Sequence, residues 1–225
     1  MTRKASPPSL PSSQIFPDAG ADTAQRLLAS ALQEFAAKGF HASTTRAIGE
    51  GAGMSPAGVY VHYASKADLL FALAQTGHRD CLRAIEEALA DAAENPEDRV
   101  RRLVEAFALW HAKHQPLARV SQYELSALSA KQLKQIVVLR QQFDEHLRRE
   151  FRDGVETGTF EIENINGTAT AVLSLCIDLA RWYEPRSSHK PSDIARLYGE
   201  LVLRTLRPPA PLPDTRMAGP ATKPA

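Results

Sequence analysis

The sequence contains few of the residues that would identify a catalytic or disulfide-bonded protein. Its 225 residues include two cysteines, Cys81 and Cys176, which lie far apart in no framework spacing. We therefore expect reduced thiols in a reducing compartment. There is no glycine-rich phosphate loop, Ser/His/Asp arrangement or complete set of metal ligands, so we expect no cofactor, no bound metal and no enzymatic activity.

Long apolar runs and leader signals are also missing. The longest apolar run, 169–180, is interrupted by polar residues and is shorter than the ~20 residues that span a bilayer. The first residues, MTRKASPPSLPSS, lack the apolar core of a signal peptide. These features predict a soluble cytoplasmic protein without a membrane partner.

The sequence has almost no excess of charge of either sign. The formal net charge is +1, and residues 1–70 carry six Lys or Arg against five Asp or Glu. A bulk positive field for nucleic acid is therefore excluded, and any affinity for DNA must come from locally placed side chains.

What the sequence does contain is helical periodicity, which predicts an all-α fold. Residues 1–20 and 208–225 are rich in proline and are expected to be disordered tails. Arg3 and Lys4 could form a DNA-contacting arm, but a free tail is the simpler interpretation. Between the tails we predict a three-helix domain over 21–68 and a body of about six helices over 69–207, with the fourth helix shared by both.

The strongest local signals lie between residues 43 and 70. Thr44 or Thr45 can cap one short helix, and Ser55 followed by Pro56 starts the next. Gly53 stands between them, where a left-handed residue is needed. Ser65 then caps a long helix. Two short helices joined by a tight glycine turn are typical of a helix-turn-helix, although a plain helical hairpin without a DNA role would share this pattern.

This region resembles the DNA-binding domain of the TetR family of transcriptional repressors. Two departures are Pro56, where the family often has Lys, Arg or Thr, and Tyr63, where Phe is commoner, and the recognition helix has no Lys or Arg. The resemblance is carried, at matching spacing, by Phe35, Gly39, Phe40, Ile48, Ala52, Gly53, Ser55, Tyr60, Tyr63, Lys66 and Leu69.

The resemblance implies a homodimer that binds a roughly palindromic double-stranded DNA operator and releases it when a small effector binds the body. Whether the protein represses or activates is left open by the sequence. The expected DNA-binding residues are Thr44, Thr45, Arg46, Ser55, Pro56, Ala57, Tyr60, His62, Tyr63 and Lys66.

The effector site is predicted from charges on apolar helices. Arg140 lies on an apolar stripe between Ile136 and Phe143, so it must be paired or must meet an anionic ligand. Pairing with Asp178 or Asp144 inside the core is the structural alternative. The expected ligand-binding residues are Trp110, His114, Tyr123, Arg140, Phe143, Asp178 and Trp182.

The ending of the chain, RWYEPRSSHKPSDIARLYGELVLRTL, resembles the branch of the family that senses acyl-coenzyme A and related lipid acids. An acyl-coenzyme A-like effector is therefore expected, with a neutral aromatic or drug-like ligand as the alternative. The last two helices are expected to pair across a two-fold axis through Val172, Leu175, Leu179, Leu197 and Leu201.

Three rival functions are weaker. His111 and His114 could begin a metal site, but no further ligands are fixed near them. A helical enzyme could use the same cavity for acid–base chemistry, and a protein-binding adaptor would explain the body. Neither the enzyme nor the adaptor explains the helix-turn-helix pattern.

Overall fold

A computed structural model describes residues 23–184 and 189–206. The two predicted tails, including Arg3 and Lys4, and the predicted helix end at Pro185 lie outside these residues. The described residues are helical and without strands, which confirms the all-α prediction. The helices are α1 (Thr23–Ala42), α2 (Thr45–Gly51), α3 (Pro56–His62), α4 (Lys66–Ala90), α5 (Pro96–Lys113), α6 (Gln115–Tyr123), α7 (Ala130–Glu156), α8 (Ile165–Ile177), α9 (Leu179–Trp182) and α10 (Pro191–Leu206), with a 3₁₀ turn at Leu125–Ala127.

Short polar side chains start the helices of the amino-terminal part, as predicted. The hydroxyl oxygens of Thr44, Ser55 and Ser65 each accept the backbone N–H of the residue three positions later, at 3.1–3.2 Å. Gly53 has a φ of +71°, a left-handed conformation that glycine adopts without steric cost. The local chemistry of the sequence therefore sets the ends of α2 and α3.

One predicted helix is divided in two. The apolar stretch 165–183 of the sequence predicts one helix from about Ile165 to Tyr183, but α8 ends at Ile177 and α9 begins at Leu179. At the junction, the backbone N–H of Arg181 donates to the carbonyl of Asp178, only three residues earlier, at 2.9 Å. A bond of this 3₁₀ type tightens the turn and redirects the chain.

The first three helices and the start of α4 form a compact head. Ile48, Val59 and Leu69 have no exposed surface and share one core with α1. The hydroxyl of Ser30 on α1 donates to the Ile48 carbonyl at 2.7 Å. A Cβ added at Gly49 would lie 2.9 Å from a methyl of Val59, so α2 and α3 cross too closely for any larger residue.

Helix α4 continues from the head into the body. Its 25 residues span about 37 Å at 1.5 Å per residue. Leu69 and Leu73 are buried at its amino-terminal end, and Leu82 and Ile85 are buried further along, within one continuous hydrophobic core. Helix α4 therefore contributes buried side chains to both the head and the body.

The body is held together by α5, which packs against α4, α7 and α10. Its Arg99 forms two hydrogen bonds, of 2.6 and 2.9 Å, to the carboxylate of Glu150 on α7. Glu150 is completely buried, so the bidentate arginine compensates a charge that would otherwise be costly.

Lys66 joins the start of α4 to the end of α1. Its ammonium donates to the carbonyls of Phe40 at 2.5 Å and Ser43 at 2.7 Å, with a longer contact of 3.4 Å to His41. It also lies 4.4 Å from the centre of the Phe40 ring. In the protein without DNA, the donors of Lys66 are thus occupied by the carbonyls at and just after the end of α1.

We predict that Lys66→Met lowers the free energy of unfolding by about 1–3 kcal/mol, because it leaves partly buried carbonyls without donors. Urea denaturation followed by circular dichroism measures the change. Lys38→Met is the matched control, since that ammonium is half-exposed and pairs with Glu34 one turn away. Equal unfolding midpoints for the two variants would contradict the capping role.

Candidate functional site

The outer face of α3 is exposed and largely apolar. Val59 is fully buried, and at 100° per residue Ala57 and Val61 lie on the opposite side of the helix. Val61 is 81% exposed and Tyr60 is 54% exposed. Val61 was not among the predicted DNA-binding residues, although its spacing from the buried Val59 could have identified it.

The predicted DNA-binding residues cluster on α2, α3 and their flanks. The hydroxyls of Thr45 and Tyr60 lie 3.1 Å apart, so α2 helps to orient the Tyr60 ring. Arg46 pairs with Glu50 at 2.9 Å on the exposed side of α2. Thr44, Arg46, Ser55, Pro56, Ala57, Tyr60 and His62 are exposed, Thr45 and Tyr63 are partly buried, and Lys66 is bonded to α1.

A cavity of about 50 Å³ lies inside the body, between α4, α5, α6, α7 and α8. Three of the predicted ligand-binding residues, Trp110, Arg140 and Phe143, contribute to its wall. Sequence reasoning missed other polar residues of the wall because they come from helices distant in the chain. These are His78, His111, Ser121 and Gln122.

Arg140 has no carboxylate partner within the described part of the chain. Its guanidinium donates to the Gln122 side-chain oxygen at 2.7 Å, the Ser121 carbonyl at 3.3 Å and Nε2 of His78 at 3.2 Å. Burial lowers the pKa of Arg140 from its usual value. The cavity wall therefore contains a positive charge that only neutral groups solvate.

The expected internal pairing of Arg140 is wrong. Asp144 binds Arg148 at 2.6 Å, and Asp178 binds Arg181 at 2.7 Å. Both pairs lie within one helical turn, where three- or four-residue spacing brings side chains together without ordering distant segments.

Two histidines in the cavity wall are held neutral. Nδ1 of His78 donates to the Ala74 carbonyl at 2.6 Å, and Nδ1 of His111 donates to the Phe107 carbonyl at 2.8 Å. Their Nε2 atoms are therefore acceptors. Burial, with a smaller contribution from the charge of Arg140, lowers the pKa of each to about 4.

Ser121 adds an unused polar group to this wall. The residue is 5% exposed, and its hydroxyl oxygen is buried with no hydrogen-bond partner among the described residues. A buried hydroxyl without a partner is costly, and this one lies in the same cavity wall as Arg140.

Four predicted ligand-binding residues lie outside the cavity wall. Asp178 is half-exposed and paired with Arg181, and Trp182 is 42% exposed beyond the break between α8 and α9. Tyr123 is 52% exposed and borders a separate groove between α1 and α6. His114 ends α5 with its ring 5.2 Å from that of Trp110. We therefore remove these four from the candidate site.

An apolar face follows α8 and α10. Leu175, Leu197 and Leu201 are 41–50% exposed there. Val172 and Leu179, predicted as part of the same face, are 7% and 0% exposed because they pack inside the subunit core. Leu179 therefore has no surface left for a partner in this arrangement, and Val172 has little.

Neither a membrane span nor a metal cluster is formed by the residues described. None of the described helices combines the length and the apolar character that a bilayer crossing requires. Within the same ranges, no group of three or more His, Cys, Asp or Glu side chains is placed to hold a metal ion. Cys81 and Cys176 are both buried free thiols.

The chain is similar to transcriptional regulators of known structure. One from Rhodococcus RHA1 is 38% identical, with a TM-score of 0.78, covering 83% of this chain and 98% of that one. PfmR from Thermus thermophilus is 29% identical, with a TM-score of 0.75 and coverage of 80% and 97%. AibR, solved with isovaleryl coenzyme A and operator DNA, is 19% identical, with a TM-score of 0.73 and coverage of 84% and 100%.

Family-level comparison covers both parts of the chain. No curated protein matches it. Residues 27–73 match the family described as bacterial regulatory proteins of the tetR family, and residues 93–206 match the tetracyclin repressor-like carboxy-terminal domain. The helix-turn-helix head and the cavity-containing body agree with these two matches. The chain belongs to the TetR family and is a ligand-responsive, DNA-binding transcriptional regulator that is not an enzyme.

Proposed function

We propose that the protein is a homodimeric repressor that binds a palindromic operator and is released by an apolar effector bearing an anionic or thioester group. Each α3 enters a major groove, with its exposed face toward the bases and α2 across the backbone. The solved complex of AibR with operator DNA supports this use of the fold. Two-fold protein symmetry favours a two-fold site.

The exposed apolar face of α8 and α10 is the evidence in favour of the proposed dimer. Leu197 and Leu201 lie four residues apart on one side of α10, and both are about half exposed. Leu175 adds a third half-exposed leucine on α8. A second subunit that covers these side chains with its own copies would remove apolar surface from water and make a four-helix interface.

The observation that carries the effector proposal is the positive charge of Arg140 in an otherwise neutral cavity. An anion or a polarised carbonyl would give this charge the partner that the chain itself does not supply. Ser121 offers a second donor beside it, and the aromatic rings of Phe107, Trp110 and Phe143 offer an apolar wall. AibR, which was solved with isovaleryl coenzyme A, shows that this fold accommodates a thioester.

The size of the cavity connects effector binding to release of DNA. About 50 Å³ holds only a few water molecules, and we propose that the wall moves outward when an acyl chain enters. His78 and Cys81 bring α4 into that wall. We propose that the displacement is passed along α4 to the head, which changes head separation and lowers operator affinity.

A neutral aromatic effector is the second candidate. Phe107, Trp110 and Phe143 give the cavity wall three aromatic side chains, which can pack against a planar ligand. In that case Arg140 would serve the structure of the wall, and its replacement would leave the response to the effector unchanged.

We expect Tyr60→Ala to weaken binding to the protein's own promoter by roughly tenfold or more, because it removes an exposed aromatic contact of α3. Electrophoretic mobility shift at moderate salt measures the affinity against a random duplex. Tyr123→Ala removes an equally exposed tyrosine from the body and should have no effect. If the wild-type protein binds its own promoter no more tightly than a random duplex, the proposal that it is a repressor is wrong.

For assembly, Leu201→Arg should convert the dimer to monomers, because it places an unpaired charge inside the interface. Light scattering at micromolar concentration measures the mass. Val61→Arg adds the same charge to the head and should leave the dimer intact. A wild-type protein that is monomeric at this concentration would contradict the proposed dimer interface of α8 and α10.

Acyl-coenzyme A thioesters, free acids and neutral hydrophobic compounds should be titrated into the protein–operator complex. We expect a thioester or an acid to release the DNA, and Arg140→Met to raise the concentration required roughly tenfold, as expected for loss of a charge-assisted contact worth about 1.5 kcal/mol. Arg152→Met, an exposed arginine of the same helix, is the control. Release by neutral compounds alone, or an unchanged response of Arg140→Met, would favour the second candidate.

A further inference from the structure

We infer that α3 recognises the operator through the methyl groups of thymine, with Ala57 and Val61 as the reading side chains. The inference rests on the proposed entry of α3 into the major groove, and it specifies which bases lie there. It follows from the exposed apolar face of α3 and from the types of side chain that this helix lacks.

The geometry selects Ala57 and Val61. Val59 fixes the inward direction of α3, because it is fully buried beneath Gly49 of α2. Residues two positions before and after it point about 160° away at 100° per residue. Val61 is the most exposed large apolar side chain among the described residues, at 81%.

Helix α3 lacks the charged and amide side chains that read guanine, adenine and cytosine in the major groove. Arginine or lysine reads guanine, asparagine or glutamine reads adenine, and aspartate or glutamate reads cytosine. The sequence of α3, PAGVYVH, contains none of these residues. Thymine alone presents a methyl group, which binds apolar side chains.

The hydroxyls next to this face are already engaged. The Ser55 oxygen accepts the Gly58 N–H at 3.2 Å as the cap of α3, and the Tyr60 hydroxyl bonds Thr45 at 3.1 Å. Their remaining hydrogen-bonding capacity suits phosphate or single base contacts, which position the helix. His62, the last residue of α3, lies about 100° around the helix axis from Val61 and therefore beside the apolar face that Ala57 and Val61 form.

The spacing of the two side chains predicts the spacing of the thymines. Four residues of helix rise about 6 Å, which is close to two base-pair steps of about 3.4 Å each. Each half-site should therefore contain two thymines, one or two steps apart, at the positions that α3 covers.

The test begins with selection of duplexes from a random pool by the full-length protein. Each thymine of the enriched half-site is then replaced by deoxyuridine, which removes only the methyl group and keeps the base pairing. Two positions should each lose affinity by about fourfold, equivalent to about 0.8 kcal/mol for one buried methyl group. The remaining thymines should be insensitive.

A double-mutant cycle assigns the contact to α3. In Val61→Ala the affinity for the selected duplex should fall, and deoxyuridine at one of the two positions should then cost little. Leu133→Ala, which truncates an exposed side chain of α7, should keep the full deoxyuridine effect.

The outcomes separate this inference from the proposed function. If no duplex is enriched, the proposed operator binding itself fails, and the inference fails with it. If duplexes are enriched but no replacement of thymine by deoxyuridine lowers the affinity, the proposed operator binding is retained and the reading of thymine methyl groups is wrong. If the deoxyuridine effect is unchanged in Val61→Ala and in Ala57→Gly, methyl reading belongs to other residues and the assignment to α3 is overturned.

Discussion

The packing of α4 is shared by the head and the body, and both depend on it. Its amino-terminal leucines complete the core of the head, and its later residues pack in the body and reach the cavity wall. Lys66 in its first turn also holds the carbonyls at the end of α1. One continuous helix therefore contacts the core of the head, the core of the body and the cavity wall.

Two arginines of the body differ in whether a carboxylate pairs with them. Arg99 is matched by the buried carboxylate of Glu150 with two short hydrogen bonds, an arrangement that leaves neither group available to a ligand. Arg140 contacts only neutral groups, including a histidine whose pKa is about 4. The absence of a matching carboxylate in the described residues turns a core position into a candidate ligand anchor.

The sequence predicted best what depends on neighbouring residues. The caps at Ser55 and Ser65 and the turn at Gly53 follow from local backbone chemistry, and the inward position of Arg140 follows from helical period. The sequence did not indicate the partners of Lys66, or that His78 and Ser121 would meet Arg140, because such contacts join helices distant in the chain. Burial was equally hard to assign on an apolar helix such as α8, where every face carries apolar residues. Val172 and Leu179, predicted at a partner surface, pack inside the subunit instead. His114, Tyr123, Asp178 and Trp182, predicted as ligand contacts, lie outside the cavity wall.

The proposed coupling between cavity and head can be measured as a distance in the dimer. Spin labels placed at Glu50→Cys in the two exposed α2 helices would report head separation by double electron–electron resonance, while both natural cysteines are buried. Saturation with a thioester that releases the operator should shift the distance distribution, and Arg140→Met should require more thioester for the same shift. An unchanged distribution under conditions that release the DNA would contradict transmission through α4.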